Sequence, residues 1–327
     1  MGFELNFDSE SVKNIDKKID KNTIYDVLII GGGPAGLNSA LYAKRNGLEV
    51  GIIAETYGGQ VIDTSSVENY LGYESIVGED LVGAFRKHIE KYEIPIKKES
   101  RLEKVEKKDE IFHLDLSDGS HLKTRTLIIA TGSKPKKLNV PGEKEYLGKG
   151  VAYCAICDGP LFQGKEVVIA GGGNSAAEAA IDLSKVAKKV KLVQRSILRA
   201  EKALVDKLES IENIEIYLGT QIKEIYGDKL VKGIKVYDKD KDETFNIKAD
   251  GVFIEIGYTP NSGPFKDLVK TLPSGEIEID CSCRTDVDGV FAAGDVTTVP
   301  YKQISISSGE GAKAALSANA YINKLKK

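Results

Sequence analysis

Residues 25–36 read YDVLIIGGGPAG, and residues 166–176 read EVVIAGGGNSA. In each, a short apolar run feeds a cluster of glycines, and a helix-forming stretch follows. Val27 to Ile30 has the composition of a strand buried on both faces. It runs into Gly31-Gly32-Gly33-Pro34-Ala35-Gly36, a G-x-G-x-x-G, and then into LNSALYAKRNG, which ends near Gly47. Each glycine has a physical task. Gly31 makes the tight turn, Gly33 lets a pyrophosphate approach the backbone, and Gly36 lets helix and strand pack closely. The helix N-terminus adds free N–H groups and a positive dipole end. Glycines also cluster in ordinary turns, so the bare motif is weak. The strand before it, the helix after it and an acid at the right distance make it a dinucleotide-binding signature.

The second copy, Gly171-Gly172-Gly173-Asn174-Ser175-Ala176, is followed by AEAAIDLSKVA and then by KKVKLVQ. The register holds beyond the glycines. The second strand of the first copy, LEVGIIAE, ends at Glu55, 24 residues after Gly31; Arg195 stands 24 residues after Gly171. An acid suits a free ribose 2′-hydroxyl, and a guanidinium suits a 2′-phosphate. Arg199 and Lys202 lie close by in sequence. The two copies therefore point to two different dinucleotides, FAD and NADPH. The plainer reading of Arg195 is a solvated charge at a strand end.

Between the copies, Phe112, Leu114 and Leu116 alternate with polar residues up to the turn SDGS, and Leu127 to Ala130 form a further buried strand ending in Ala130-Thr131-Gly132. SKPKKLNVPGEKE (133–145) reads as a linker. ADGVFIEIGYTPN (249–261) reads as the return crossing, and GVFAAGDV (289–296) as a strand ending in Gly294-Asp295. Asp295 is placed to accept from ribitol hydroxyls, or simply starts a turn. The tail from Gln303 is helix-forming, with small residues on one face. The fold class is α/β: two Rossmann-like three-layer domains, the second inserted into a discontinuous first, with boundaries at 1–134 plus 255–327 and at 135–254.

The chain has 327 residues, 41% apolar and 29% charged, with net charge −3. That composition argues against nucleic acid as the main partner. No run of eighteen apolar residues marks a membrane span. Residues 1–22 lack the apolar core of a signal peptide. The expectation is a cytoplasmic protein, where a C-x-x-C is more often catalytic or metal-binding than a structural disulfide.

That C-x-x-C is Cys154 and Cys157, in VAYCAICDGP. Zinc would need four ligands. The other cysteines, Cys281 and Cys283, are spaced C-x-C and read as a strand edge or surface turn, while His88, His113 and His121 stand near no motif. No metal site is expected. A redox couple is the favoured reading, because two intervening residues let a disulfide form and break without refolding.

Gly31–Gly36, GGQ (58–60), ENYLG (68–72), ATG (130–132), CAICDG (154–159), GGGNSA (171–176) and GVFAAGDV (289–296) stand in a shared order and spacing. In these motifs the chain resembles the low-molecular-weight thioredoxin reductases over about residues 24–325. The resemblance implies an FAD site at Gly31, Gly33, Pro34, Ala35, Gly36, Glu55, Gly59, Gln60, Asn69, Val105, Ala130, Thr131, Gly132, Gly294, Asp295, Lys302, Gln303 and Ile304. It implies an NADPH site at Gly173, Asn174, Ser175, Glu178, Gln194, Arg195, Arg199 and Gly257. It also implies a catalytic set of Cys154, Cys157 and Asp158, with Cys157 facing the flavin, Cys154 attacking the partner and Asp158 handling the proton (the plainer alternative for Asp158 is a helix N-cap). The implied activity is NADPH-dependent reduction of a thioredoxin-like or glutaredoxin-like protein disulfide by a homodimer. Because both nicotinamide and cysteines must reach one flavin, a domain rotation is expected about hinges near 132–137 and 253–260. One departure stands out. Where the family often has His-Arg-Arg, this chain has Gln194-Arg195-Ser196, and one missing charge-assisted contact costs roughly 1.5–3 kcal/mol of discrimination for NADPH over NADH. Rival readings are a flavin-dependent dithiol oxidase or ferredoxin-linked disulfide reductase that does not use NADPH, a ferredoxin or flavodoxin NAD(P) reductase, and a non-enzymatic flavin-binding sensor.

Overall fold

A computed structural model describes residues 18–64 and 66–325 of the chain; residues 1–17 of the polar lead-in lie outside the described residues. The chain divides into two compact units. The first runs to Ser66 and takes in Ile76–Ser133 and everything from Pro260 onward; the second comprises Val67–Ser75 and Lys134–Thr259.

The first unit opens with β1 (Ile24–Gly32), α1 (Pro34–Arg45), β2 (Val50–Tyr57), α2 (Gly78–Lys91) and β3 (Ile96–Lys97). An antiparallel run follows, β4 (Leu102–Lys108), β5 (Ile111–Leu116) and β6 (His121–Ile129), with β5 and β6 joined at Ser117–Ser120 by the expected tight turn with Gly119 at φ +75°. β7 (Ser133–Pro135) carries the chain across. The second unit holds β8 (Val151–Ala152), α3 (Ala155–Asp158), β9 (Glu166–Ala170), α4 (Asn174–Ser184), β10 (Lys189–Val193), α5 (Lys202–Glu209), β11 (Ile214–Tyr217), β12 (Thr220–Gly227), β13 (Val231–Asp238), β14 (Glu243–Lys248) and β15 (Gly251–Ile254). The chain returns through β16 (Tyr258–Pro260), which pairs with β7, and ends in β17 (Val290–Ala292) and α6 (Ile304–Leu325).

The two units are built on one plan. In the first sheet the order is β3-β2-β1-β6-β5-β4, with β17 also on β6; in the second it is β11-β10-β9-β15-β8. Ile30 pairs with Ile53 and with Ile129, and Ala170 pairs with Val193 and with Ile254, all in parallel register. Each central strand is therefore flanked the same way. The likeness continues past the strand ends, where LIIATGSKP (127–135) aligns without a gap on VFIEIGYTP (252–260) and shares Ile129 with Ile254, Gly132 with Gly257 and Pro135 with Pro260. Both crossings between units thus leave their sheets at equivalent points.

Apolar strands set both cores. Val27, Ile29, Val50 and Ile52 pack with Ala40, Ala43, Ala314, Ala315 and Ala318 on one side of the first sheet, and Leu28, Phe112, Leu114 and Leu127 face the other. The small-residue face of α6 explains its place. Gly311 lies so close to α1 that a Cβ there would stand 2.1 Å from the Ala35 carbonyl oxygen. The Ser39 hydroxyl sits 2.8 Å from the Ala35 carbonyl and 2.9 Å from that of Gly311, and the Asn38 amide donates to the Ser308 carbonyl.

The lysine-rich stretch 133–145 is more ordered than a linker. Glu143 is buried and accepts from the backbone N–H groups of Leu138 and Asn139 and from the Tyr153 hydroxyl, so one carboxylate gathers the segment. Cys281 and Cys283 do lie in a turn, as expected, but only Cys281 is exposed. Cys283 is buried at φ +62°, and its thiol donates to Glu310 Oε2 at 2.9 Å. Burial and the facing carboxylate push that thiol far above its usual range.

Close packing of α1 on α6 is testable. Gly311→Ala must separate the two helices, so it should destabilise the protein by about 1–3 kcal/mol and lower the melting temperature by several degrees; thermal unfolding followed by circular dichroism measures it.

Candidate active site

Both glycine turns close on a steric contact that only glycine permits. Gly31 has φ +126°, and a Cβ there would lie 2.1 Å from the Ala130 carbonyl oxygen; Gly171 has φ +152°, and a Cβ there would lie 2.3 Å from the Glu255 carbonyl oxygen. Side chains at either position would push apart the central strand and its neighbour. Gly33 and Gly173 follow as the N-caps of α1 and α4, both extended and without a side-chain cap, so the first N–H groups of each helix stay open. A Cβ at Gly173 would meet nothing within 4 Å, and one at Gly33 would meet only Gly59 Cα at 3.9 Å. These are open cradles of the kind a pyrophosphate fills.

In the first unit the structure brings much of the expected set together. Gly36 packs so tightly that a Cβ would stand 2.0 Å from the Gly31 carbonyl, and Gly294 (φ +75°) lies against Ala35 and Ser307. The Ser307 hydroxyl donates to Asp295 Oδ1 at 3.0 Å, and burial raises the Asp295 carboxyl. Thr131 and Asn261 exchange two hydrogen bonds, and the Asn261 N–H donates to the Gly132 carbonyl. Lys302, its pKa lowered by burial, donates to the carbonyls of Thr297 and Val299; Gln303 donates to the Lys302 carbonyl, and Ile304 opens α6. Pro34 occupies the first helical position of α1, and Gln60 lies in the 3-10 turn Gly59–Asp63. Val105 lies on β4 opposite Leu114 and packs under the sheet, and Asn69 belongs to the Val67–Ser75 segment that groups with the second unit. Glu55 is exposed after the buried part of β2 and is ion-paired with Arg101. With Thr56, Glu99 and Ser117 the pair lines an open depression.

In the second unit, four adjacent parallel strands, β10, β9, β15 and β8, deliver residues to one edge: Arg195, Gly171–Gly173, Glu255 and Cys154. Ligands of open α/β sheets bind at such carboxyl ends. Gln194 is buried rather than presented. Its Oε1 accepts from the Arg195 N–H at 2.8 Å, and its side chain fills the space beside Gly172, where a Cβ would lie 2.2 Å from Nε2. The Arg199 N–H donates to the Gly172 carbonyl, which ties the arginine loop to the glycine turn. Arg195, Arg199, Ser175 and Glu178 are exposed. Asn174, expected at the nucleotide, is also a structural clasp, because its amide donates to Glu201 Oε1 while its Oδ1 accepts from the Glu201 N–H. Gly257 turns at φ +95°, and its carbonyl accepts from the Lys136 N–H.

Cys154 and Cys157 form a disulfide, with Cα atoms 5.3 Å apart. Cys154 caps α3 and its sulfur accepts from the Cys157 N–H at 3.1 Å. Cys154 is half-buried and Cys157 exposed. β8 pairs with β15 as β17 pairs with β6, so the disulfide helix stands in the second unit where the Gly294–Asp295 turn stands in the first. Two carboxyls accompany it. Asp158, in α3, has its pKa raised by burial. Glu255, which the sequence reading passed over, accepts from the Ala155 N–H at 3.1 Å, and burial pushes its carboxyl up to about 7. The internal repeat is the signal that exposes it: Glu255 stands where the first unit has Ala130.

A paired-dinucleotide fold with a disulfide at the nucleotide-binding edge of one sheet defines a class of redox enzymes that move electrons between nicotinamide, flavin and sulfur. The chain belongs to the pyridine nucleotide-disulphide oxidoreductase family, whose model matches residues 25–312; it is an oxidoreductase and a flavoprotein with a disulfide redox centre. Among curated relatives it is 42% identical over 324 residues to the F subunit of alkyl hydroperoxide reductase of Escherichia coli, covering 98% of this chain and 62% of that one. It is 43% identical over 299 residues to an NADH dehydrogenase of Bacillus subtilis, covering 91% and 58%. The chain thus spans about 60% of the length of these relatives. The Escherichia coli match covers more of this chain than residues 24–325, over which the thioredoxin reductase motifs extend. Among solved structures, thioredoxin reductase from Streptococcus pyogenes superposes with TM-score 0.88 at 37% identity, covering 93% of this chain and 99% of that one. Thioredoxin reductase from Giardia duodenalis gives 0.87 at 34%, covering 92% and 100%. No helix among the described residues is long and apolar enough to cross a membrane.

Glu255 yields a pH prediction. Its native carboxyl titrates near 7, whereas an unfolded glutamate titrates near ~4.3. Between those values the native state holds the extra proton, so stability falls as pH rises through that window. Glu255→Gln keeps an acceptor for Ala155 and removes the charge. Its melting temperature should match wild type near pH 4 and exceed it above pH 7, with a gain of up to about 3 kcal/mol.

Proposed function

We propose that the protein is an NADPH-dependent disulfide reductase acting on a small thioredoxin-like or glutaredoxin-like protein. The observation that carries this reading is the seating of the Cys154–Cys157 disulfide at the carboxyl ends of the parallel sheet that also carries the Gly171–Gly173 turn, two strands away. The two cradles and their residue types fit a flavin nucleotide in the first unit, through Gly33, Gly59, Gly294 and Asp295, and a nicotinamide nucleotide in the second, through Gly173, Ser175, Arg195 and Arg199. When bound, the flavin supplies two-electron transfer between nicotinamide and sulfur.

The chain's own residues account for the sulfur chemistry. Reduction of Cys154–Cys157 breaks one S–S bond and consumes two electrons and two protons, leaving two thiols. Loss of one proton gives the thiolate that attacks the partner disulfide. The second thiol then displaces the partner as a dithiol and restores the S–S bond. Asp158, whose proton affinity is raised by burial, holds a proton at its carboxyl for this exchange. Following the resemblance, Cys154 attacks the partner and Cys157 resolves. Domain rotation about the two crossings gives the disulfide alternate access to flavin and partner.

A second reading concerns the destination of the electrons. The similarity to F subunits of alkyl hydroperoxide reductases favours a partner that feeds a peroxidase. The chemistry at Cys154–Cys157 is the same in both.

Anaerobic titration tests the donor. NADPH should bleach the flavin band, and on the Arg195 and Arg199 pair it should be preferred over NADH by roughly tenfold or more in apparent affinity. Arg195→Ala should erase most of that preference. Equal bleaching by NADH would overturn NADPH as donor and leave disulfide reduction standing.

The cysteine roles have their own test. Cys157→Ser should accumulate a mixed disulfide between Cys154 and an oxidised thioredoxin, visible by mass spectrometry, while turnover drops by at least about a hundredfold. Trapping through Cys157 in Cys154→Ser instead would reverse the assignment.

A further inference from the structure

Two of the chain's three histidines meet on the outer surface of the first unit, far in sequence from either glycine turn. His113 on β5 and His121 on β6 are diagonal neighbours across the hairpin, because His113 pairs with Lys123 and Asp115 pairs with His121. Phe112, Leu114 and Leu116 point the other way, into the core. His113 Nδ1 lies 3.1 Å from His121 Nε2, and His121 Nδ1 lies 2.7 Å from Asp115 Oδ1. The side chains of His121 and Asp115 are about half exposed.

We propose that His113 and His121 form a surface site for a divalent transition-metal ion of the zinc type. Three observations support it. First, Asp115 accepts the Nδ1 proton of His121, which leaves Nε2 unprotonated 3.1 Å from His113 Nδ1; a carboxylate behind a ligating histidine is the usual orienting partner at zinc. Second, the nitrogen separation matches. Two imidazoles bound to tetrahedral zinc at ~2.05 Å hold their nitrogens about 3.3 Å apart, within a few tenths of an ångström of the 3.1 Å seen. Third, two nitrogens this close can share one proton or one cation, but two imidazolium rings here would repel. Neutral His113 can carry its proton on Nε2 and offer Nδ1, so binding needs no net proton release. No third histidine, cysteine or carboxylate among the described residues completes the cluster, so water fills the remaining positions. Lys108 and Lys123 flank His113 and disfavour a cation, and Glu106, on the neighbouring strand, opposes them. The site is therefore of moderate affinity.

The test is calorimetric titration of zinc chloride into the full-length, flavin-loaded, oxidised protein, with Cys281 blocked by iodoacetamide. One equivalent should bind with a dissociation constant below about 100 µM. His113→Ala and His121→Ala should each weaken binding at least tenfold, and Asp115→Asn by about 10–100-fold, with reductase turnover unchanged in all three. Absence of zinc binding to the wild type, or equal binding by both histidine variants, overturns the proposal.

Discussion

The molecule depends on two backbone contacts. In each unit the first glycine of the turn stands where any side chain would drive into a carbonyl of the neighbouring strand, Ala130 for Gly31 and Glu255 for Gly171. Hydrogen bonding in the parallel sheet brings those strands together, and the missing Cβ lets the chain turn there without opening the ladder. All else at the sites follows from that turn. It aims the helix N-terminus over the sheet edge, leaves its first N–H groups open, and sets the distance at which the next strand delivers Glu55 or Arg195. That two stretches 140 residues apart repeat this arrangement in register is why one chain can hold two nucleotides.

Much of this was legible in the sequence because glycine requirements are local. The apolar runs, the glycine spacing and the C-x-x-C lie within a few residues of the structures they specify. What escaped was set by contacts between distant segments. Gln194 belongs to the expected nicotinamide-nucleotide set, and its local sequence does not show that its buried amide packs against Gly172 and accepts from the Arg195 N–H. Asn174 lies in the motif but is clasped by Glu201, 27 residues on. Glu143 looks like one charge among lysines and proves to be the anchor of 133–145. His113 and His121 look unrelated until the hairpin pairs their strands. Glu255 is inconspicuous in an apolar strand until that strand is set against LIIATG (127–132).

Burial creates two uncommon carboxyls beside the disulfide. Asp158 and Glu255 are both raised, chiefly by desolvation, although an N–H donor to Glu255 opposes the shift. A protein disulfide can be made and broken near neutral pH only if protons are at hand. The second unit keeps carboxyls of high proton affinity on α3 and at its first N–H group, while the matching position of the first unit is alanine. The difference between the repeats thus coincides with the difference in their chemistry.

The paired strands β7 and β16 have a consequence for how the chain assembles. They bring the two ends of the second unit side by side, so the first unit is interrupted by about 125 residues at a gap only one strand spacing wide. While the insert is unfolded, closing that gap costs about 4 kcal/mol of loop entropy. Once it folds, its own sheet holds the ends together and the cost vanishes. β6 and β17, which flank the interruption, can then pair as if contiguous. The folded insert thus acts as a clasp for the sheet of its host.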